Sequence, residues 1–161
     1  MKNLVSIVMG SQSDLEIVQE AVNVLKEFDI GFELKVLSAH RTPKELVEYI
    51  WQADCQGVKV FIAAAGMAAA LPGVIAAHTP KPVIGIPIET KSLKGLDSLL
   101  SIIQMPGGIP VGCMSLGKAG AKNAALFAIE ILALADNTIS DKLKDYRLSQ
   151  AKKILNQKID L

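Results

Sequence analysis

The 161-residue sequence predicts an α/β fold, a three-layer α/β/α sandwich with a central parallel sheet, and three observations carry that expectation. Short, continuously apolar runs rich in β-branched residues recur along the chain, as strands covered on both faces do. Between them lie segments whose apolar residues are spaced by three and four, the stripe of a helix packed by one side. The two kinds of segment alternate, and parallel strands need crossover connections of one hand, which distributes helices over both faces of the sheet.

Leu4 to Met9 is the first strand and ends at Gly10-Ser11. From Asp14 the pattern turns helical, with Leu15, Val18, Ala21, Val22, Leu25 and Phe28 on one side. Phe32 to Leu37 is the second strand. Thr42-Pro43 opens a helix that runs to about Gln52, because proline suits the first helical position. Val58 to Ala64 is the third strand, and the small-residue run Gly66 to Ala77 reads as a loop followed by a tightly packed helix. Pro82 to Ile86 is a strand, Leu96 to Met105 a helix, Pro110 to Met114 a strand and Ala119 to Ala135 a helix. The chain then becomes polar, yet Ile139, Leu143, Tyr146, Leu148, Ala151, Ile154 and Leu155 keep a helical stripe. A C-terminal helix over 137–157 is therefore expected, its apolar side meeting either its own core or a neighbouring subunit. No repeat or linker divides the chain, so one catalytic domain over 1–161 is expected. Trp51, Cys113 and Met114 read as core or half-buried packing.

Composition narrows the function. Half the residues are apolar, and 17 Lys and Arg face 16 Asp and Glu, a net charge of +1 that offers no field for nucleic acid or an anionic membrane. Cys55 and Cys113 lie far apart with no metal-ligand spacing or secretory leader, which suits a reducing cytoplasm, and two histidines are a poor supply for a metal site. Apolar stretches stop well short of the roughly 20 residues that span a bilayer. The expectation is a soluble, cytoplasmic protein without metal.

In open parallel sheets ligands bind beyond the carboxyl ends of the strands, so the segments that follow each strand are where chemistry is sought. Gly10-Ser11-Gln12-Ser13-Asp14 sets a glycine, two hydroxyls and a carboxylate in the turn that opens a helix. Free amides and the helix dipole there suit a phosphate, with Asp14 placed for sugar hydroxyls. Capping of the helix by Ser13 or Asp14 is the plainer alternative. Ser38-Ala39-His40-Arg41-Thr42-Pro43 brings together two hydroxyls, an imidazole and a guanidinium. The guanidinium forks onto phosphate oxygens and the imidazole gives and takes a proton near neutral pH. The alternative is a solvated His40-Arg41 pair ahead of a Thr42 cap. In Ala63 to Gly73 the side chains are too small for chemistry, so either backbone amides approach a ligand or the alanines allow tight packing. Gln104 to Pro110 either walls a pocket or connects two elements, and His78 reads as a solvated surface residue.

These segments in this order, with Leu71-Pro72-Gly73, Asp97 to Pro106 and Gly117 to Ala125, resemble class I of the N5-carboxyaminoimidazole ribonucleotide mutase family over residues 4 to 135. The resemblance implies conversion of N5-carboxyaminoimidazole ribonucleotide to 4-carboxy-5-aminoimidazole ribonucleotide in de novo purine (IMP) biosynthesis. It also implies a flavodoxin-like or Rossmann-like architecture, no metal or organic cofactor, and a homo-octamer with active sites between subunits. Carried over by position, Ser11, Ser13, Ser38 and Arg41 hold the phosphate, Asp14 the ribose, and His40 is the general acid and base. Amides of the Gly66 to Gly73 loop, at Gly66, Ala68, Ala70 and Leu71, hold the carboxylate and exclude water. The chain departs from the family at Ala70, where a second histidine is usual, and at Met67, where a glycine is usual and the pocket becomes narrower or drier. Ala70 is expected to cost a positioning contact rather than the chemistry. The competing functions are a carboxylase that takes aminoimidazole ribonucleotide (AIR) and free carbon dioxide, and a non-catalytic binder of a purine precursor. A flavin or dinucleotide module is disfavoured, since no Gly-x-Gly-x-x-Gly follows a strand and stacking aromatics are scarce.

Overall fold

The computed structural model describes residues 2–159; Met1, Asp160 and Leu161, which the expected domain includes, lie outside the described residues. Strands β1 (Val5–Met9), β2 (Phe32–Val36), β3 (Val60–Gly66), β4 (Val83–Ile88) and β5 (Gly112–Cys113) form one parallel sheet in the order β2-β1-β3-β4-β5. That order is the flavodoxin-like one. Helices α1 (Leu15–Glu27), α2 (Pro43–Gln56), α3 (Leu71–His78), α4 (Leu96–Ile103), α5 (Gly117–Ala133) and α6 (Asn137–Leu155) follow in chain order. The predicted α/β/α sandwich is the observed fold.

Strand side chains alternate between two cores, as the period of two requires. Val60, Ile62 and Ala64 of β3 join Val5 and Ile7 of β1 under α1 and α5. Phe61, Ala63 and Ala65 face the opposite way, with Val8, under α2 and α3 and Ile102 of α4. Fully buried side chains such as Ile7, Ile62 and Phe61 each contribute about 1.5–3 kcal/mol relative to exposure. Gly85 lets α4 approach the sheet closely: a Cβ there would stand 2.5 Å from Ile102 Cγ2. One polar group lies deep in the second core, where Ser6 Oγ is 2.7 Å from the Tyr49 hydroxyl and that hydroxyl donates to Glu33 at 3.3 Å.

Several boundaries differ from the expected ones, each for a local reason. Helix α2 runs past Gln52 because Gly57, at φ 91°, caps it in the left-handed conformation, with Val58 N donating to Ala53 O. Strands β3 and β4 sit about two residues further along than their apolar runs suggested. Strand β5 is only Gly112–Cys113, the pairs being Ile84 with Gly112 and Gly85 with Cys113. Trp51 is 69% exposed, not packed, because α2 turns Leu46, Tyr49, Ile50 and Ala53 to the sheet and leaves Trp51 on its outer side. Helix α6 answers its two alternatives differently along its length. Ile139 and Leu143 are buried in the protein's own core and Tyr146 stacks near Phe28, with ring centroids 5.4 Å apart, whereas Leu148, Ile154 and Leu155 are exposed.

Candidate active site

Strands β1 and β3 are neighbours, yet the chain leaves them toward opposite faces of the sheet, α1 packing with α5 and α3 with α2. Such a switch point opens a crevice beyond the carboxyl ends of the strands. The ladder continues just past the strand ends, with Gly10 N donating to Ala64 O at 3.2 Å and Leu37 N to Met9 O at 3.0 Å. The loops after β1, β2 and β3 consequently start side by side. They enclose a crevice of about 570 Å³.

The β1 loop is a single 3-10 turn over Gln12–Asp14. Its cap is Ser11, whose Oγ accepts from Ser13 N at 3.3 Å and from Ser13 Oγ at 2.9 Å. Asp14 stands at the cap position of α1 but makes no side-chain capping bond, so neither Ser13 nor Asp14 does the capping that the plainer sequence reading assigned them. Asp14 is buried, and burial pushes its carboxyl above the usual carboxylate range, against hydrogen bonds from Ser13 and Ser11 and the attraction of Arg41. A carboxylate so placed gains from donors such as sugar hydroxyls.

The β2 loop is closed on itself by Thr42, whose Oγ1 accepts from Ser38 N at 2.9 Å and donates to Ser38 O at 3.1 Å. Thr42 thus secures the loop and makes no side-chain cap for α2. Arg41 is fixed at its base, Arg41 N donating to Ser38 Oγ at 3.2 Å and Nε at 3.4 Å, and its Nη2 reaches across to Gly10 O at 2.8 Å. The guanidinium ties the two loops while its remaining donors are open to an anion. His40, one residue earlier, is exposed on the crevice.

The β3 loop presents Ala65, Gly66, Ala68, Ala69 and Ala70, with Met67 among them. Met67 has φ 58°, in the left-handed region, a conformation that costs a residue other than glycine about 1–2 kcal/mol. Not every amide here is available. Ala69 N donates to Met67 O at 2.9 Å and Ala70 N to Ala68 O at 2.6 Å. Amides without a backbone acceptor include those of Met67 and Ala68 in the loop and of Leu71 and Gly73 in the first turn of α3, where amides lack intrahelical partners. The expected amide contact from Ala70 is thus already engaged within the loop.

Ser11, Ser13, Asp14, Ser38, His40, Arg41, Gly66, Ala68, Ala70 and Leu71 all line this one crevice. Ile88, Glu89 and Thr90 line it too and are not among the residues expected from the sequence, because β4 extends two residues beyond Ile86, the end expected for that strand. Thr90 Oγ1 donates to the Asp97 carboxylate at 3.1 Å, and the buried Ser98 Oγ donates to Ile88 O at 2.8 Å. Asp97 and Ser98 of the sequence motif therefore anchor the loop after β4. Of Gln104 to Pro110, none lines the crevice; Met105 packs beside Gly73, and Gly108, Ile109 and Pro110 border a separate groove with Phe127. His78 lies exposed at the far end of α3. Among the described residues no group of three or more His, Cys, Asp or Glu is arranged to hold a metal ion, and no helix is long and apolar enough to cross a membrane.

Residues 4–153 match the family model described as AIR carboxylase. The chain is 57% identical over 143 residues to an N5-carboxyaminoimidazole ribonucleotide mutase of Pyrococcus abyssi, covering 89% of this chain and 81% of the relative. It is 50% identical over 155 residues to the enzyme of that name from Bacillus subtilis, covering 96% of each. Among solved structures it superposes on Treponema denticola PurE with a TM-score of 0.86 at 33% identity, covering 95% of this chain and 94% of the other.

Proposed function

The chain belongs to the AIR carboxylase family, and on that premise we infer that it is an enzyme of purine biosynthesis, an N5-carboxyaminoimidazole ribonucleotide mutase. The observation that carries the assignment of roles is the loop from Ser38 to Thr42, whose consecutive residues His40 and Arg41 both line the crevice and which is tied through Arg41 to Gly10. In this reading Arg41, Ser38, Ser11 and Ser13 hold the substrate phosphate by charge-assisted hydrogen bonds, and Asp14 accepts from the ribose. The aminoimidazole then lies between His40 and the alanine loop.

The chemistry needs one proton carrier and a dry pocket. The carbamate N–C bond breaks, its electron pair returns to nitrogen, and His40 protonates that nitrogen. Carbon dioxide is held against the alanine loop, with the amides of Ala68 and Leu71 as donors to the developing carboxylate. Carbon 4 of the ring attacks it, and the carbon 4 proton passes to the now neutral His40, which restores the protonated imidazolium for the next cycle. Each proton lost is matched by one gained, so the overall change is an isomerisation that needs no cofactor.

The assembly we propose is a homo-octamer with active sites at subunit boundaries. Its support is the exposed apolar stripe Leu96, Leu100 and Ile103 on α4 and the exposed end of α6 at Leu148, Ile154 and Leu155, surface that association would bury. A native mass of eight 17.2 kDa chains is expected, and a monomer in solution would rule this arrangement out. The partner is a small ribonucleotide; a net charge of +1 gives no attraction to nucleic acid or membrane, and the free thiols Cys55 and Cys113 suit the cytoplasm. To test the reaction, the purified protein is given N5-carboxyaminoimidazole ribonucleotide or, separately, AIR with bicarbonate. Rapid formation of 4-carboxy-5-aminoimidazole ribonucleotide from the first alone is expected; turnover of AIR with bicarbonate only would assign it instead as a direct carboxylase, and binding without turnover of either as a non-catalytic binder.

A further inference from the structure

Met67 is held in a conformation that its own packing does not reward. Its φ of 58° belongs to the left-handed region that disfavours side chains, yet its side chain is 69% exposed, so no burial in the core compensates. Strain kept at the edge of a ligand crevice points to use there. The neighbouring loop residues Ala65, Gly66, Ala68, Ala69 and Ala70 carry at most a methyl group, and Leu71 is buried beneath the loop. Among the described residues of this wall, Met67 alone offers a long apolar side chain free to move, and an unbranched thioether adapts to whatever it covers.

The reaction inferred above has two possible ends. If carbon 4 captures the carbon dioxide, the carboxyl group migrates. If the gas leaves first, one substrate and one proton become AIR and carbon dioxide, and the carboxyl group is lost. Which end is reached depends on how long the gas is confined and water excluded, not on the proton carrier, which serves both. Resting on that reading, we propose that Met67 is a specificity-determining residue whose side chain covers the crevice over the bound heterocycle and sets the partition between carboxyl migration and carboxyl loss. Met67 lines the crevice with its side chain largely exposed, and the glycine and alanines beside it leave space that this side chain can close.

The test feeds N5-carboxyaminoimidazole ribonucleotide to the wild-type protein, Met67→Gly and Met67→Leu, and measures AIR and 4-carboxy-5-aminoimidazole ribonucleotide together, each above the rate without protein. Met67→Gly is expected to raise the ratio of AIR to carboxylated product about fivefold or more, by loss of the cover. Its Tm should rise, since glycine adopts positive φ freely. Met67→Leu, which keeps an apolar cover, should hold the ratio within about twofold of wild type. A folded Met67→Gly with an unchanged ratio, or a Met67→Leu as leaky as glycine, overturns the role of Met67 and leaves the mutase reading intact. Absence of carboxylated product from the wild-type protein overturns both.

Discussion

Arg41→Lys separates the charge of the guanidinium from its shape. In the structure Arg41 lines the crevice and donates from Nη2 to Gly10 O at 2.8 Å and from Nε to Ser38 Oγ at 3.4 Å. A lysine keeps the positive charge, but its single ammonium cannot hold Gly10 and fork onto a phosphate together. The substitution therefore removes one charge-assisted hydrogen bond, worth about 1.5–3 kcal/mol, which corresponds to about 10- to 140-fold in kcat/KM. The phosphate lies away from the reacting atoms, so most of the loss should enter through KM. Because Arg41 is exposed, unfolding free energy should move by no more than about 1 kcal/mol. The assay is steady-state conversion of N5-carboxyaminoimidazole ribonucleotide, with Arg41→Ala as the stronger lesion and urea unfolding as the control. If Arg41→Lys keeps kcat/KM within about twofold of wild type, the fork geometry has no part in binding.

Two further predictions concern the ionisable groups that the fold buries. Burial, with the Glu33 carboxylate adding to it, pushes the Tyr49 phenol up to about 12 despite its bond to Ser6. The folded protein then holds that proton while the unfolded chain releases it from about pH 10, so stability should fall by about 3 kcal/mol as pH rises from 10 to 12. Tyr49→Phe should flatten that slope and cost about 1–3 kcal/mol at pH 7 by leaving the buried Ser6 hydroxyl without its partner; urea titrations that show the same alkaline slope in both proteins would contradict this. Asp14 has a folded pKa raised above 3.8, chiefly by burial. Its charge thus costs stability at neutral pH, and that cost is recovered as pH falls through the raised value toward 3.8. Asp14→Asn should melt higher than wild type at pH 7, with the gap closing on acidification, while KM rises; an equal or lower Tm at pH 7 would show that the carboxylate is not penalised.

The parts of the fold that were legible in the sequence are those where the physical cause is local. Val5 to Met9 and Phe61 to Ala65 are buried on both sides, and a run that is apolar but for Ser6, whose hydroxyl meets Tyr49, has no other place in a three-layer protein. The residues after β1, β2 and β3 could be found because two loops carry hydroxyls, charge and an imidazole at strand ends, and the third is conspicuous for side chains too small to act. Glu89 and Thr90 were missed because the end of β4 depends on tertiary pairing: Pro87 and Ile88 pair with Ala65 and Gly66, which no local pattern signals. Trp51 was misplaced because its large apolar area suggested burial, whereas the register of α2 was set by Leu46, Tyr49 and Ile50. Hydrogen bonds inside the alanine loop were equally invisible, since residues of one type differ there only in backbone geometry.

The account rests on a single imidazole, and removing its proton chemistry while keeping its size is the sharpest probe of it. His40→Asn, followed by formation of 4-carboxy-5-aminoimidazole ribonucleotide under saturating substrate, should lose at least about 100-fold in kcat, the lower end of what general acid–base catalysis supplies, with Tm unchanged because the side chain is exposed. A folded His40→Asn protein that still turns over within a few-fold of wild type would mean that the proton travels by another route and that the crevice chemistry described above is wrong.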